Sequence, residues 1–430
     1  MKDEIRYFFS RMAERLWVKP LIVCLLSIAI AFVAQWVDQF QIFQEAPEVN
    51  TESIKMLLKV ISASMLVMAV FAVGSMLAAY QSASSSATPR AFTLVVSDDV
   101  SQNALSTFIG AFIFSIVAQV ALMNGYYEKA GRFILFIITI LVFALVIISF
   151  IRWVDGIARL GRLSTTITKV EKAAWEALRR RKEKPFLGGV KTENQTDGLP
   201  VFTTTVGYIQ RIDMDALQTA AKNGEIQVEV ATLPGAFVTP NRPLAYIKGY
   251  RKDSEDAVEA TSIAKAFCIG SNRTFDDDPR FGIITLSEIA SRALSPAVND
   301  PGTAIEITGI FVRLFTDLAQ ETSESEQPSV EYDRVAVPEI TLDDLFGDAF
   351  NAMARDGAGT IEVVIRMLKG LATLTSIDNG HMEKAAFESA RLVIAHAEKA
   401  LTTSIDIARL RAVSEFVRSS DSGASSAVDS

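Results

Sequence analysis

FILFIITILVFALVIISFI, residues 133–151, is an unbroken apolar run close to the ~20 residues that an α-helix needs to cross the hydrocarbon core of a bilayer. It contains no Asp, Glu, Lys, Arg or His. Three runs of the same kind precede it, at residues 20–37, 60–80 and 105–123. Four such stretches in the first third of a chain predict an integral membrane protein with four transmembrane helices over residues 1–151.

Charge at the ends of these runs predicts their orientation. Lys2, Arg6, Arg11, Arg15 and Lys19 come before the first run. Arg152, Arg159, Arg162, Lys169, Lys172 and Arg179-Arg180-Arg181-Lys182 come after the fourth. Basic residues concentrate on the cytoplasmic side, so both termini of this multi-pass protein are expected there. Asp38, Glu45, Glu48 and Glu52 in the first connection suit an outer loop, whereas Lys129 and Arg132 in the third weigh slightly the other way. Trp17, Trp36, Tyr80, Tyr126, Tyr127 and Trp153 fall at run ends, where an amphipathic ring gains from one wet edge. Gln35-Trp36-Val37 has no small-residue cleavage pattern, so the first run is read as a retained helix.

The remainder of the 430-residue chain is long enough for one or two folded domains, and the formal net charge is -8. The dense basic cluster is confined to the membrane-proximal segment, which points to anionic lipid headgroups and argues against nucleic acid as a partner. Cys24 and Cys268 fall in different phases, so no disulfide is expected. Residues 152–190 read as a basic amphipathic connector, with Ile157, Leu160, Leu163, Ile167, Val170, Ala174 and Leu178 recurring every three or four residues. It either prolongs the fourth helix or lies along the inner leaflet. Residues 192–198 read as a linker.

Residues 200–252 predict a small α/β unit: strand over 201–212, helix over 214–223, and strands over 226–231 and 243–250. Pro234-Gly235 between the last two strands fits a type II turn. Residues 253–418 read as mainly helical, giving a cytoplasmic α+β domain with a helical C-terminal part. Residues 419–430 are rich in Ser and Ala and are expected to be disordered.

The densest polar constellation is Gly270-Ser271-Asn272-Arg273-Thr274-Phe275-Asp276-Asp277-Asp278-Pro279, then a helix, then Arg292-Ala293-Leu294-Ser295-Pro296-Ala297-Val298-Asn299-Asp300-Pro301-Gly302-Thr303-Ala304. Asn299 or Asp300 can cap a second helix with Pro301 at its first position. Consecutive aspartates rarely converge on one cation, so Asp276 to Asp278 suit caps and turns better than a metal. Arg273, Thr274, Asp276, Asp278, Arg292, Ser295, Asn299, Asp300 and Thr303 make up the candidate polar network, which either fixes the loop against the helix turn or binds an anion. No catalytic residue, metal ligand set or cofactor motif stands out. His381 and His396 have no partner at ligand spacing, and there is neither a phosphate loop nor a dinucleotide fingerprint. An enzyme therefore ranks third.

These two segments, together with Ser86-Ala87-Thr88-Pro89-Arg90, Thr107-Phe108-Ile109-Gly110-Ala111-Phe112 and Pro234-Gly235-Ala236-Phe237-Val238, resemble the signature of a bacterial membrane-protein family, domain of unknown function 2254. The resemblance covers most of the chain and implies a four-span membrane domain with a cytoplasmic domain, and no established activity. Many members carry paired histidines after the fourth span. Here that place holds Arg152-Trp153-Val154-Asp155, so no role for such histidines carries over.

Within the membrane segment, Ala72, Ser75, Ala79, Ser82 and Ser86 form one stripe of small residues, and Thr107, Ala111, Ser115 and Ala118 form another. Small faces allow close helix packing in lipid; repeated around an axis, they line a pore. The favoured expectation is a channel-like or transport-like homo-oligomer regulated by its cytoplasmic domain. The alternative is a non-conducting anchor that presents a cytoplasmic binding or signalling domain.

Overall fold

The computed structural model describes residues 18–37, 47–96, 99–159, 162–192, 198–249, 256–320, 330–377 and 380–417. Lys2, Arg6, Arg11, Arg15, Trp17, Asp38, Glu45, most of the expected linker and the Ser-rich tail 419–430 lie outside the described residues, as do the side chains of Trp36 and Ser86. The chain forms two compact units, residues 1–166 and 167–430.

The first unit is helical: α1 (Val18–Val37), α2 (Thr51–Ser86), a 3-10 turn (Pro89–Ala91), α3 (Phe92–Val96), α4 (Asp99–Met123) and α5 (Lys129–Arg159). Three helices are long and apolar enough to cross a membrane, over Thr51–Ser82, Val100–Met123 and Lys129–Ile157. The described apolar part of α1, Val18–Phe32, is shorter. Three candidate spans therefore stand where four were expected.

Helix α4 is the shared neighbour of α1, α2 and α5. Its approach to α1 depends on Gly110: a side chain there would collide with Val23, and Ser27 Oγ lies 3.2 Å from where its Cβ would be. Against α2, Ala72 and Ala69 meet Ala104, Phe108 and Ala111 in a cluster completed by Val146 and Trp153 of α5. In lipid this is van der Waals packing rather than hydrophobic expulsion, and small residues are what allow the backbones to come close. Leu66, Val67, Val70, Phe71 and Leu77 of α2 and Leu141, Leu145, Ile148 and Ile151 of α5 point outward, as apolar side chains facing acyl chains do.

The wet-edge expectation for the aromatic residues fails at three positions. Tyr80, Tyr127 and Trp153 are buried, and only Tyr126 among those described is exposed. The Tyr127 hydroxyl finds its acceptor inside the bundle, donating to the Ala31 carbonyl at 2.9 Å. Trp153 is wedged edge-on between Phe71 and Phe108, with centroids 5.8 and 5.9 Å away, and its indole N–H has no partner among the described residues.

The second unit begins within α6 (Leu163–Glu183). It contains a five-stranded sheet, order β1-β8-β4-β6-β2, from β1 (Gly189–Lys191), β2 (Leu199–Val201), β4 (Gln227–Val230), β6 (Ala245–Lys248) and β8 (Tyr332–Val337). A three-stranded antiparallel sheet is formed by β5 (Phe237–Val238), β3 (Gly207–Ile212) and β7 (Phe267–Gly270). The single strand expected over 201–212 is thus two strands in two sheets. The break follows from the Thr203–Thr205 run, where the Thr203 hydroxyl accepts the Thr205 N–H at 2.9 Å and turns the backbone.

Helices α7 (Met214–Asn223) and α8 (Asp256–Lys265) belong to the same core, which holds Leu217, Ile226, Val228, Ile247, Ile263, Phe267 and Val335. Strand β4 is buried along most of its length, Glu229 included. That carboxylate accepts from the Thr192 hydroxyl and pairs with Lys248 at 2.5 Å, as a buried charge requires.

The helical layer comprises α9 (Pro279–Ala293), α10 (Pro301–Ala319), α11 (Leu342–Asp356), α12 (Ile361–Thr375), α13 (Gly380–Ala400) and α14 (Ser404–Val413). Helix α11 starts as its sequence implies. The Thr341 hydroxyl accepts the Asp344 N–H at 3.1 Å, the N-cap half of a capping box, and donates to the Asp344 carboxylate at 2.8 Å. Phe311, Phe315, Phe346 and Phe350 are fully buried and fill the space between α10 and α11, the Phe315 and Phe346 rings stacking at 4.4 Å.

The apolar face of α6 enters this layer. Ile167, Val170, Ala174 and Leu178 are buried, and a Cβ added to Gly282 of α9 would sit 2.5 Å from Ala174 Cβ. The polar face of α6 is engaged as well. Arg179 pairs with Glu183 at 2.8 Å and lies 5.3 Å over the Trp175 ring. Lys182 donates to the Asp317 carbonyl at 2.8 Å, and Lys184 pairs with Glu331 at 2.7 Å.

Candidate functional site

The loop 271–278, between β7 and α9, is built around one carboxylate. Asp278 precedes Pro279 and adopts extended backbone angles, so its side chain folds back over the first turn of α9. Oδ1 accepts the N–H groups of Arg280 and Phe281, each at 3.2 Å. Oδ2 accepts from Arg273 Nε at 2.7 Å, with the carboxylate 1% exposed and the arginine 19%. The Arg273 guanidinium lies 5.1 Å over the Phe281 ring, which packs on Phe275 at 4.5 Å. Burial pushes the Asp278 carboxyl above the usual range, while Arg273 and the two helix amides pull it back.

Three segments hold this loop. The type II turn at Pro234-Gly235 is present, with Gly235 at φ +91 and the Ala236 N–H on the Leu233 carbonyl at 3.1 Å. It presents Gly235 directly to Asp278, whose carboxylate occupies the volume a side chain there would need. From β3, Gln210 donates to the Asn272 carbonyl at 2.8 Å and lies against Gly270, where no side chain would fit. From α6, Arg180 grips the Asp276 carbonyl, with Nε at 3.1 Å.

Beside it, Arg181 donates through Nη1 to the Pro185 carbonyl at 3.2 Å, while its Nη2 is buried without a partner. Burial pushes the Arg181 pKa down to about 10, with Asp277 and Asp278 opposing the fall, so it remains a cation at neutral pH. Asp277 is raised by burial and by Asp276, against the attraction of Arg211, Arg180 and Arg181.

The rest of the sequence-derived network lies at the other end of α9, about 20 Å away at 1.5 Å per residue. There the Ser295 hydroxyl donates to the Arg292 carbonyl at 2.6 Å, and the Ser295 carbonyl accepts the N–H of Val298 at 3.0 Å and of Asn299 at 2.8 Å. Asn299 takes φ +51, which lets Asp300 N–H return to the Ala293 carbonyl at 2.8 Å. Asp300 then caps α10, accepting the Thr303 N–H at 3.2 Å and its hydroxyl at 2.6 Å.

So Arg273, Asp276 and Asp278 share one centre, with Thr274 half-buried in the same loop. Arg292, Ser295, Asn299, Asp300 and Thr303 form a separate turn. Arg180, Arg181, Gln210 and Gly235 belong to the first centre but were not assigned to it from the sequence, which placed the two arginines in the basic run and Gly235 in a turn. Only the Pro-Gly pair advertised itself. Arg280, which follows the cap, ties α9 to α11 through Asp348 at 2.6 and 3.1 Å and Asp344 at 3.1 Å.

In the membrane stripe, Ala72 is fully buried and the Ser75 hydroxyl turns back to the Ala72 carbonyl at 2.9 Å. Ala79 is half-buried and Ser82 exposed.

Residues 13–373 match the model of a family described as predicted membrane protein, domain of unknown function 2254. The uncharacterized protein Mb1321c of Mycobacterium bovis and the uncharacterized protein Rv1290c of Mycobacterium tuberculosis are each 31% identical over 115 residues. That match covers 26% of this chain, and this chain spans 22% of the length of each relative. No solved structure matches the chain. With most of its length matched by one family model, and with apolar helices long enough to cross a bilayer, the chain belongs to the membrane-protein family known as domain of unknown function 2254.

Proposed function

We propose that this protein is a four-span anchor in the bacterial inner membrane, with both termini in the cytoplasm, that presents residues 167–430 as a binding module. The observation that supports an anchor over a conducting protein is the use made of the small stripe. Ala72 is spent on packing against Ala104, Phe108 and Ala111 within one chain. Helix α4 contacts α1, α2 and α5 alike, so its small residues serve packing within one chain. The close fit of Val23 and Ser27 over Gly110 supports counting α1 as the fourth span, since contacts of this kind join helices within a bilayer. The Asp278 centre supports binding rather than catalysis, because its carboxylate is committed to Arg273 and two amides of α9.

A pore formed by several copies is the second reading, and one observation favours it. Half-buried Ser75 and Ala79 and exposed Ser82 continue the stripe toward the helix surface, where a second copy has access to them. Liposome-flux and single-channel recording of the purified protein, beside its oligomer profile, separates the two. The anchor predicts no flux under voltage, tension or osmotic stress from a well-folded sample; conductance altered by Ala79→Ser would overturn it in favour of the pore.

A further inference from the structure

Two arginines converge on a bare stretch of helix in the second unit. A Cβ built on Gly309 of α10 would lie 3.4 Å from Arg366 Nη2 and 3.9 Å from Arg313 Nη1. Arg313 commits Nε and Nη2 to Glu171 Oε1, at 3.0 and 2.7 Å, which leaves Nη1 directed at this spot. Arg366, reaching over from α12, has no hydrogen bond or ion pair among the described residues. Glu362, one turn before it, is turned to Arg409 at 3.6 Å.

Two like charges aimed at one point repel, and a glycine inside a helix weakens it relative to alanine. Neither feature helps the fold. Both are accounted for by an anion that sits over the glycine and takes charge-assisted hydrogen bonds from two guanidiniums.

Arg313 is also a wall of an open groove of about 420 Å³ between α6 and α10, lined by Thr168, Lys172, Trp175 and Leu314 and by the carboxylates of Glu171 and Asp317, which are turned to Arg313 and to the Trp175 indole. The Trp175 indole N–H donates to Asp317 at 2.8 Å, so the ring is held with 37% of its residue surface exposed. Arg313 is common to the seat over Gly309 and to the groove, so a ligand with an anionic head at the seat and an apolar continuation along the held indole suits both.

We propose that Arg313 and Arg366, over Gly309, bind the phosphate group of a ligand whose apolar part enters the Trp175 groove. The phosphate is that of a phospholipid headgroup or of a soluble phosphorylated compound. This gives the binding module of the anchor a ligand class and rests on that reading for its biological role. Its test does not involve flux, so the two fail separately.

The experiment uses the full-length protein and two probes: inorganic phosphate by titration calorimetry in detergent, and phosphatidic acid against phosphatidylcholine in nanodiscs, read by retained lipid in native mass spectrometry. Arg366→Met removes one donor from an exposed position. Gly309→Leu fills the seat and leaves both charges. Arg355→Met, at an arginine paired instead with Asp356 at 2.8 Å, is the control for loss of charge.

The wild type is expected to bind at least one probe, and Arg366→Met and Gly309→Leu to weaken it about tenfold or more while Arg355→Met does not. Phosphate binding marks a soluble ligand; retention of phosphatidic acid alone marks a lipid. No binding of either probe, binding that survives Arg366→Met, or equal loss in Arg355→Met would overturn the site. If Gly309→Leu melts early, Arg366→Met alone decides.

Discussion

The Asp278 carboxylate occupies the volume that a side chain on Gly235 would require, so two segments 43 positions apart in sequence meet with no space between them. Gly235 is there for two reasons at once: its φ of +91 and the carboxylate beside it. Gly249 has a similar φ of +81, but only the Glu225 carbonyl lies near, at 3.9 Å. Gly249→Ala should therefore cost about 1 kcal/mol of backbone strain, and Gly235→Ala clearly more, because the cap of α9 must move. Denaturant melts of both variants beside the wild type measure the difference; equal losses would dissolve the link between turn and cap.

Arg273→Met leaves the Asp278 carboxylate buried without its cation and should lower stability by about 3 kcal/mol at neutral pH. Burial already raises this carboxyl, and removing Arg273 raises it further. An acid whose pKa is higher folded than unfolded takes up its proton more readily in the folded state. Its ionisation therefore removes stability as pH rises from the unfolded value through the folded one. The deficit of the variant should be present above that window and shrink below it. A deficit independent of pH would show that Arg273 acts through its packing on Phe281 alone.

Gly282→Val drives a side chain into Ala174, where the added Cβ alone would lie 2.5 Å away, and should cost about 2 kcal/mol. Because α6 also holds the Asp276 carbonyl through Arg180, hydrogen exchange should quicken across loop 271–278 as well as at the crossing. Faster exchange at the crossing alone would mean that α6 and the loop are independent.

Within the membrane unit, Ala72→Leu and Gly110→Leu should each destabilise the detergent-solubilised protein by about 2 kcal/mol through overpacking. Val67→Leu, on the outward face, should be neutral. Thermal melts followed by size-exclusion profile test this. A neutral Ala72→Leu would remove the packing role of the stripe and strengthen the pore.

What the sequence disclosed divides along physical lines. The spans over 60–80, 105–123 and 133–151 were legible because a bilayer imposes length and apolarity directly on the local chain. The cap of α10 was legible for the same local reason: Asp300 with Pro301 acts within one turn. Residues 201–212 misled because alternation does not reveal the sheet a strand joins, and the Thr203 hydroxyl turns the chain midway. Trp153 misled because position along a helix does not give the face it occupies. The nine-residue polar network was drawn together by composition, whereas α9 is long enough to keep its halves apart. Arg180 and Gln210, far along the chain from the loop they hold, carry no local signal.

The central claim, an anchor with a cytoplasmic module, is tested most directly by cysteine accessibility in intact cells. Val298 is half-exposed at the tip of the turn before α10, and Asn124 is exposed between α4 and α5. In a background lacking Cys24 and Cys268, a membrane-impermeant maleimide should label Asn124→Cys from outside and should reach Val298→Cys only after lysis. Labelling of Val298→Cys in intact cells would contradict the account.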